Sequence, residues 1–216
     1  MDQTDEYEQG ERVRAWLRNN GSSLITGIAL GLAALGGWQW WQGQGELRKV
    51  EAAAEYLAFN KAVEANDAAK ASAHAQAIRQ NHPKTPYVAL AALAEAELLH
   101  AAGKADEALA LLDGVPTADT DPALAELVKL RAVRLLAGQG KHEEAIKRLD
   151  ATPFPSYAGV AEELRGDAEL ALGRREQARA AYEKSLAALD QGAPTRGIVE
   201  MKYTEAGGRL PEQPEA

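Results

Sequence analysis

The sequence contains no cysteine, which excludes disulfide bonds, thiolate catalysis and zinc sites built on thiolates. Aromatic residues make up only 6% of the 216 residues, and Val, Ile and Thr, which favour strands, are sparse. Alanine, the strongest helix former, supplies about a fifth of the chain. The composition therefore predicts an all-α protein.

The chain also lacks a basic patch and the usual catalytic motifs. Its formal net charge is −8, whereas a nucleic-acid-binding surface needs Lys and Arg to neutralise phosphates. The histidines (His74, His82, His100 and His142) have no metal-ligand spacing, and no Gly-rich phosphate loop or Ser-His-Asp arrangement is present. We expect no catalytic residue, no cofactor, no metal site and no nucleic-acid partner.

One stretch lacks charged residues altogether. Residues 22–41, SSLITGIALGLAALGGWQWW, would form a helix about 30 Å long, the thickness of a bilayer's hydrocarbon core. Trp38, Trp40 and Trp41 at its far end are typical of an aromatic belt at the membrane interface. No small-residue cleavage site follows the apolar core. The pattern favours a permanent transmembrane anchor over a cleaved signal peptide or a buried helix of a soluble fold.

The charges beside this stretch give a weak indication of its orientation. Positive residues tend to remain in the cytoplasm, and acidic residues count little. Three arginines precede the stretch and two basic residues follow it: Arg12, Arg14 and Arg18, against Arg48 and Lys49. This favours a cytoplasmic N-terminus and an exported main domain, while a cytoplasmic main domain stays open.

The apolar stretch also carries small residues at intervals of four. Such stripes let a second transmembrane helix approach backbone to backbone, although Gly and Ala are common enough in these helices to produce stripes by chance. We predict helix packing through one stripe of Ser23, Gly27 and Gly31 and a second of Ala29, Ala33 and Gly37.

Three segments of the remaining chain are alike: GKADEALALLDGV from Gly103, GKHEEAIKRLDAT from Gly140 and GRREQARAAYEKSL from Gly173. Each has a basic residue after the glycine, Ala five residues after it, and Leu or Tyr four residues beyond that Ala. The glycine is predicted to end one helix in the left-handed conformation. The Ala then lies where two helices cross, and the larger residue fills the core of the helical hairpin. The predicted first helices are Tyr87–Ala102, Pro122–Gly138 and Tyr157–Leu172.

This unit resembles the tetratricopeptide repeat, a helix pair of about 34 residues. Residues 159–192 fit best, with Gly166 as the close-contact residue of the first helix. Another helix pair, Glu46–Glu64 and Asp67–Asn81, could cap the stack. We expect a right-handed stack of helical hairpins over 46–206 and a disordered tail over 207–216.

Stacked hairpins present a concave surface lined by their first helices. The predicted groove is mostly acidic, so it does not suit a peptide's C-terminal carboxylate, and protein segments or unfolded chains are the better ligands. Its apolar members could equally belong to the core. The predicted groove residues are Leu90, Leu93, Glu97, His100, Leu127, Leu130, Arg134, Val160, Glu163 and Asp167.

Over nearly its whole length the chain resembles the YfgM family. The resemblance lies in RAWLRNNGSSLITGIALGLAALGGWQWW, LRGDAELALGRREQARAAYEKSL and VEMK (Val199–Lys202). It implies a single-span inner-membrane protein of Gram-negative bacteria with a cytoplasmic segment (1–21), a transmembrane helix (22–41) and a periplasmic repeat domain (46–206). It also implies an ancillary subunit of the SecYEG translocon that works beside the periplasmic chaperone PpiD, with no catalytic residues.

Our leading hypothesis is a non-enzymatic, membrane-anchored adaptor at the translocon exit, whose groove meets a chaperone or an emerging unfolded chain. Two alternatives remain. One is a periplasmic repeat scaffold for envelope assembly or division, and the other is a membrane-tethered cytoplasmic regulator.

Overall fold

The computed structural model describes the backbone of residues 3–118 and 120–210, and their side chains except those of 3–13, 17, 24 and 40–46. Every regular element in these ranges is helical, which confirms the predicted all-α class. The α-helices are α1 (Gln3–Glu64), α2 (Ala68–Asn81), α3 (Tyr87–Ala101), α4 (Ala105–Asp113), α5 (Pro122–Gly138), α6 (His142–Ala151), α7 (Ala158–Ala171), α8 (Arg175–Ala188) and α9 (Arg196–Glu205). A short 3-10 helix, Pro155–Tyr157, precedes α7.

The chain divides into two compact units, residues 1–51 and 52–216. The first contains the uncharged stretch, and Arg18–Gln39 within it is long and apolar enough to cross a membrane by length and composition. None of this segment is buried, unlike the core helix of a soluble fold. Of the predicted aromatic belt, Trp38 is exposed, while the side chains of Trp40 and Trp41 lie outside the described residues.

The second unit repeats one way of ending a helix. Each time, a left-handed residue follows the end of a helix, and the next residue donates its N–H to a carbonyl five residues back, as Lys104 does to Leu99 at 2.8 Å. These left-handed residues follow one another at spacings of 37, 37, 33 and 34 residues. In the described part of the chain the residues with positive φ are Asn66 (54°), Gly103 (77°), Gly140 (76°), Gly173 (78°) and Gly207 (93°).

The three glycines that the sequence singled out therefore end helices as predicted, and the structure adds two further turns. Asn66 takes the place of glycine between α1 and α2, and Ala71, five residues later, is fully buried. Gly207 ends α9 in the same way. The described chain thus forms four hairpins: the α1 residues of the second unit with α2, α3 with α4, α5 with α6, and α7 with α8. Helix α9 stands where the first helix of a fifth hairpin would lie.

The core runs through this stack as four clusters, each built from consecutive helices. No hairpin buries its apolar face alone, because each cluster contains residues of the next hairpin or of α9. From the first cluster to the fourth they include Phe59, Ala71, Ile78 and Val88; Ala96, Ala108, Leu112 and Val128; Val133, Ala145, Leu149 and Leu164; and Ala178, Tyr182, Val199 and Ala206.

The predicted disordered tail begins in an ordered helix end. Gly207 and Gly208 close α9, and Gly208 lies so near Tyr203 that an added Cβ would come within 2.4 Å of the ring. Residues 207–210 are therefore part of the described fold, and the rest of the predicted tail, 211–216, lies outside the described residues.

Replacing Gly140 by Ala should lower the free energy of unfolding by about 1 kcal/mol, because a Cβ is disfavoured at a φ of +76°. An added Cβ would meet nothing within 4 Å, so only the backbone conformation is probed. Gly138→Ala is the matched control, since Gly138 is helical and also has open space around it. Urea unfolding of the full chain in detergent, followed by circular dichroism, should show no loss for Gly138→Ala; equal losses would contradict the prediction.

Candidate protein-binding surface

The predicted groove residues occupy equivalent positions on successive first helices. Counted back from each left-handed glycine, they lie at the sixth, tenth and thirteenth residues. On α3 these are Glu97, Leu93 and Leu90; on α5, Arg134, Leu130 and Leu127; on α7, Asp167, Glu163 and Val160. The stack therefore places these side chains in three rows across three helices, while His100 lies near the end of α3.

The apolar members of these rows differ in burial. Leu130 is only 3% exposed and belongs to the core cluster of α5 to α7, so the core alternative holds for this residue. Leu93 and Val160 are half-buried and pack against neighbouring clusters. Leu90 and Leu127 are half-buried too, at the same position on α3 and α5. The apolar surface available to a ligand is therefore narrower than the sequence predicts.

The polar residues of these rows are exposed on α3 and α5 but bound to another side chain on α7. Glu97 and Arg134 are exposed. Glu163 and Asp167 on α7 are engaged by Lys202 of α9, whose Nζ lies 2.6 Å from Glu163 Oε1 and 2.8 Å from Asp167 Oδ2. Both acidic groups at this end of the predicted groove are thus engaged by one cation of the chain itself.

Lys202 is a residue that the sequence reasoning missed. Burial lowers the pKa of its ammonium, but the hydrogen bonds to Asp167 and Glu163 outweigh burial, and the net pKa is raised above the ordinary value. Arg196 fastens the other end of α9, because its Nη1 donates to the carbonyls of Leu186 at 2.9 Å and Leu189 at 3.0 Å. Helix α9 is held in place by these polar contacts as well as by its apolar face.

Beneath this network, Tyr182 of α8 packs directly on Gly166 of α7. A Cβ at position 166 would lie 2.4 Å from Tyr182 Cε1, so the close contact predicted for this glycine is confirmed. The Tyr182 hydroxyl donates to Asp167 Oδ1 at 2.8 Å. Burial, more than the neighbouring carboxylate, raises the pKa of Tyr182, which keeps the phenol protonated as a donor.

The basic residues that follow Gly140 and Gly173 each have a partner on the preceding hairpin, whereas Lys104, after Gly103, pairs with Glu107 of its own helix. Lys141 Nζ lies 3.3 Å from Asp106 Oδ1, and Arg174 bonds Glu143 at the equivalent place. A hydrogen bond from Gln139, and to a smaller extent one from Lys141, lowers the pKa of Asp106. Solvent screens such exposed pairs, so each contributes little by itself. The Gly-basic dipeptide therefore joins neighbouring hairpins at its second and third occurrences.

Three nearly buried glutamates on the first helices also bridge helices. Glu95 of α3 accepts hydrogen bonds from Ser72 at 3.0 Å and Arg79 at 2.6 Å on α2. Glu126 of α5 accepts from both the backbone N–H (2.9 Å) and the hydroxyl (3.1 Å) of Ser156. The third, Glu169 of α7, pairs with Arg174 at 3.3 Å. These carboxylates are engaged in holding the stack together.

In the first unit, the two predicted small-residue stripes are exposed. An added Cβ at Gly27, Gly31 or Gly37 would meet nothing within 4 Å. Packing of a second helix against these stripes stays a prediction; the full set is Ser23, Gly27, Gly31, Ala29, Ala33 and Gly37.

Comparison with known proteins gives consistent results. Residues 14–208 match the model of a family described as tetratricopeptide repeat-like domain. An Escherichia coli protein described as an ancillary SecYEG translocon subunit is 30% identical over 181 residues, which cover 83% of this chain and 86% of the relative. A Haemophilus influenzae protein with the same description is 25% identical over 181 residues, covering 84% and 88%.

Proposed function

The chain belongs to the tetratricopeptide repeat-like family of the ancillary SecYEG translocon subunits, the YfgM family, and from this membership we propose that it is a membrane-anchored adaptor at the Sec translocon. The main support for the proposal is that one family match covers both a candidate membrane span and a repeat domain. Residues 14–208 include both the exposed apolar segment Arg18–Gln39 and the hairpin stack. An anchor joined to a protein-binding array suits an adaptor without catalytic activity.

The proposed topology is single-pass in the bacterial inner membrane. Residues 1–21 are cytoplasmic, 22–41 span the membrane, and 46–206 form the periplasmic repeat domain. The charge difference beside the span supports this orientation, with three arginines before it and two basic residues after it. Alkaline phosphatase fused after the last residue should be active in this arrangement, whereas fluorescence of a fused green fluorescent protein would reveal a cytoplasmic C-terminus and overturn it.

The proposed division of labour assigns different partners to the two units. The span contacts translocon subunits through its small-residue stripes. The groove on α3 and α5, with half-buried Leu90 and Leu127 beside exposed Glu97 and Arg134, takes a periplasmic chaperone such as PpiD or an emerging chain. Half-buried leucines flanked by charges of both signs suit a protein segment better than a small polar ligand.

Exchanging the span should separate these partners. We expect that replacing residues 22–41 by an unrelated Leu/Ala helix of equal length keeps the protein in the membrane but reduces copurification of SecYEG after crosslinking at least tenfold. The groove variant Glu97→Lys/Arg134→Glu should keep SecYEG and lose the chaperone. Wild-type protein that recovers no SecYEG subunit would refute the proposal, and full recovery by the exchanged span would refute the role of its stripes.

A further inference from the structure

The outer face of α9 forms an open cleft that the proposed function does not use. It has a volume of 440 Å³ and is lined by Gly197, Glu200, Met201, Thr204, Glu205 and Leu210. The five helical members lie at intervals of three, four, seven and eight residues from the first, so they share one face of the helix. Leu210, just past the end of α9, completes the lining.

This face exposes large apolar side chains. Met201 is 69% exposed and Leu210 is 42% exposed; Ile198, next to the lining residue Gly197, is 50% exposed. Methionine is flexible and polarizable, and it is frequent on surfaces that accept varied apolar partners. Met201 is also the only methionine of the chain besides Met1. The cleft therefore offers an adaptable apolar contact.

The exposure does not result from a loosely attached helix. On its inner face Val199 is fully buried and Ala206 is 5% exposed, both in the core cluster shared with α8. Lys202 and Arg196 fix the helix through ion pairs and hydrogen bonds. Helix α9 is thus a fixed platform with one apolar side open.

The repeat geometry gives the open side the character of a binding surface. Met201 and Gly197 lie six and ten residues before Gly207, the places that Asp167 and Glu163 hold before Gly173. A Cβ at Gly197 would meet nothing within 4 Å, so the backbone of a second helix can approach there. A face with this spacing of small and apolar residues suits the ridge of another α-helix.

The charges around the cleft indicate the chemistry of its partner. The lining includes two carboxylates, those of Glu200 and Glu205, and Glu205 is exposed. Lys202 binds α7, and Arg196 pairs with Glu200 at 3.0 Å, so Glu205 is the lining carboxylate left for a partner. Arg209, also exposed, precedes Leu210 and is not among the lining residues. A carboxylate beside apolar side chains favours a partner with Lys or Arg next to its apolar stripe.

We propose that the outer face of α9 binds an amphipathic helix of a partner protein, with apolar residues against Ile198, Met201 and Leu210 and Lys or Arg beside Glu205. This site lies outside the groove on α3 and α5 and does not depend on the translocon role. Its position next to the Lys202 contacts makes α9 both the cap of the stack and a docking element.

The test uses the full chain in nanodiscs of phosphatidylcholine, labelled with ¹³C on the methionine methyl groups. The Met201 signal, assigned from Met201→Leu, reports on the cleft itself, so partitioning of a probe into lipid lowers only its free concentration. The probe is an 18-residue helical peptide of Leu, Ala and Lys in an amphipathic pattern. We expect a saturable shift of the Met201 signal, and at least tenfold weaker binding of the same peptide with Glu in place of Lys.

Three matched changes complete the experiment. Glu205→Lys and Ile198→Asp should each weaken the Lys peptide at least fivefold, whereas Glu183→Lys, the same charge change at an exposed position of α8, should not. The Lys peptide with one central residue replaced by proline should also bind at least fivefold more weakly than the Lys peptide itself, because proline breaks its helix. An unshifted Met201 signal, equal binding of the Glu peptide, or equal binding of the proline peptide would each overturn the proposal. Copurification of SecYEG with Glu205→Lys is measured separately, so its retention leaves the translocon role standing.

Discussion

Replacing Gly166 by Ala should destabilise the repeat domain by about 2 kcal/mol, the range typical of overpacking a rigid core. An added Cβ would lie within 2.8 Å of three atoms of the Tyr182 ring. The ring cannot move away easily, because it is fully buried and its hydroxyl is bonded to Asp167. Gly197→Ala in α9 is the control: it makes the same change in a helix with open space, and Ala is the better helix former, so no loss is expected.

A double-mutant cycle tests the cause of this effect. If the clash with the ring is responsible, Gly166→Ala should cost much less in a Tyr182→Leu background, with a coupling energy of about 1–2 kcal/mol. The chain contains the same exchange in its second and third hairpins. There the place of Gly166 holds a larger residue and the place of Tyr182 holds leucine: Ala96 with Leu112, and Val133 with Leu149. Additive effects in urea unfolding of the full chain would show that the Tyr182 ring is not what limits position 166.

Replacing Lys202 by Met should also destabilise the domain by about 2 kcal/mol, since it removes two charge-assisted hydrogen bonds from a partly buried site. Methionine keeps much of the apolar stem, so the ammonium is the main loss. Glu163 and Asp167 would then remain close together without a cation, and α9 would lose its contact with α7. Lys184→Met on the exposed face of α8 is the control and should change stability little.

The pH dependence gives this second prediction a distinct signature. The folded state raises the pKa of Lys202 above the ordinary 10.5, so its stabilising contribution is complete below pH 10.5 and is lost as the pH rises through the folded value. The raised pKa of Tyr182 also lowers stability above pH 10, but it does so in both proteins. The stability difference between wild type and Lys202→Met should therefore be constant near pH 8 and shrink above pH 10.5. A difference that grows with pH would contradict the assignment.

Helix ends were predictable where a local interaction defines them. Helix α5 has the predicted bounds, Pro122–Gly138. It begins there because the Asp121 side chain accepts the N–H of Leu124 and proline fits the first turn, and it ends before the left-handed Gly140. The hairpin between α1 and α2 was predicted as a helix pair but not as a repeat. Asn66 adopts the left-handed conformation here, but the repeat pattern was defined by glycine and therefore did not include it.

The binding surface was only partly predictable. The groove residues share equivalent positions before each left-handed glycine, but burial at one position depends on the neighbouring hairpin. Leu130 is core while Leu127, one turn earlier, is half-buried. A signal for the missed Lys202 was present in the sequence: the equivalent residue of α7, five before the left-handed glycine, is the buried Ala168. A lysine at such a place requires a partner.

The sequence by itself determined the helical class, the apolar segment and the helix ends at Gly103, Gly140 and Gly173, because these follow from interactions within a few residues of each other. The tertiary structure alone decided which groove residues remain open and how α9 is held. Lys202 meets Glu163 and Asp167 across 39 and 35 residues of chain, and only the stacking of α9 on the last hairpin brings these charges within hydrogen-bonding distance. The same stacking buries Val199 and leaves Met201 exposed on the opposite side of the helix.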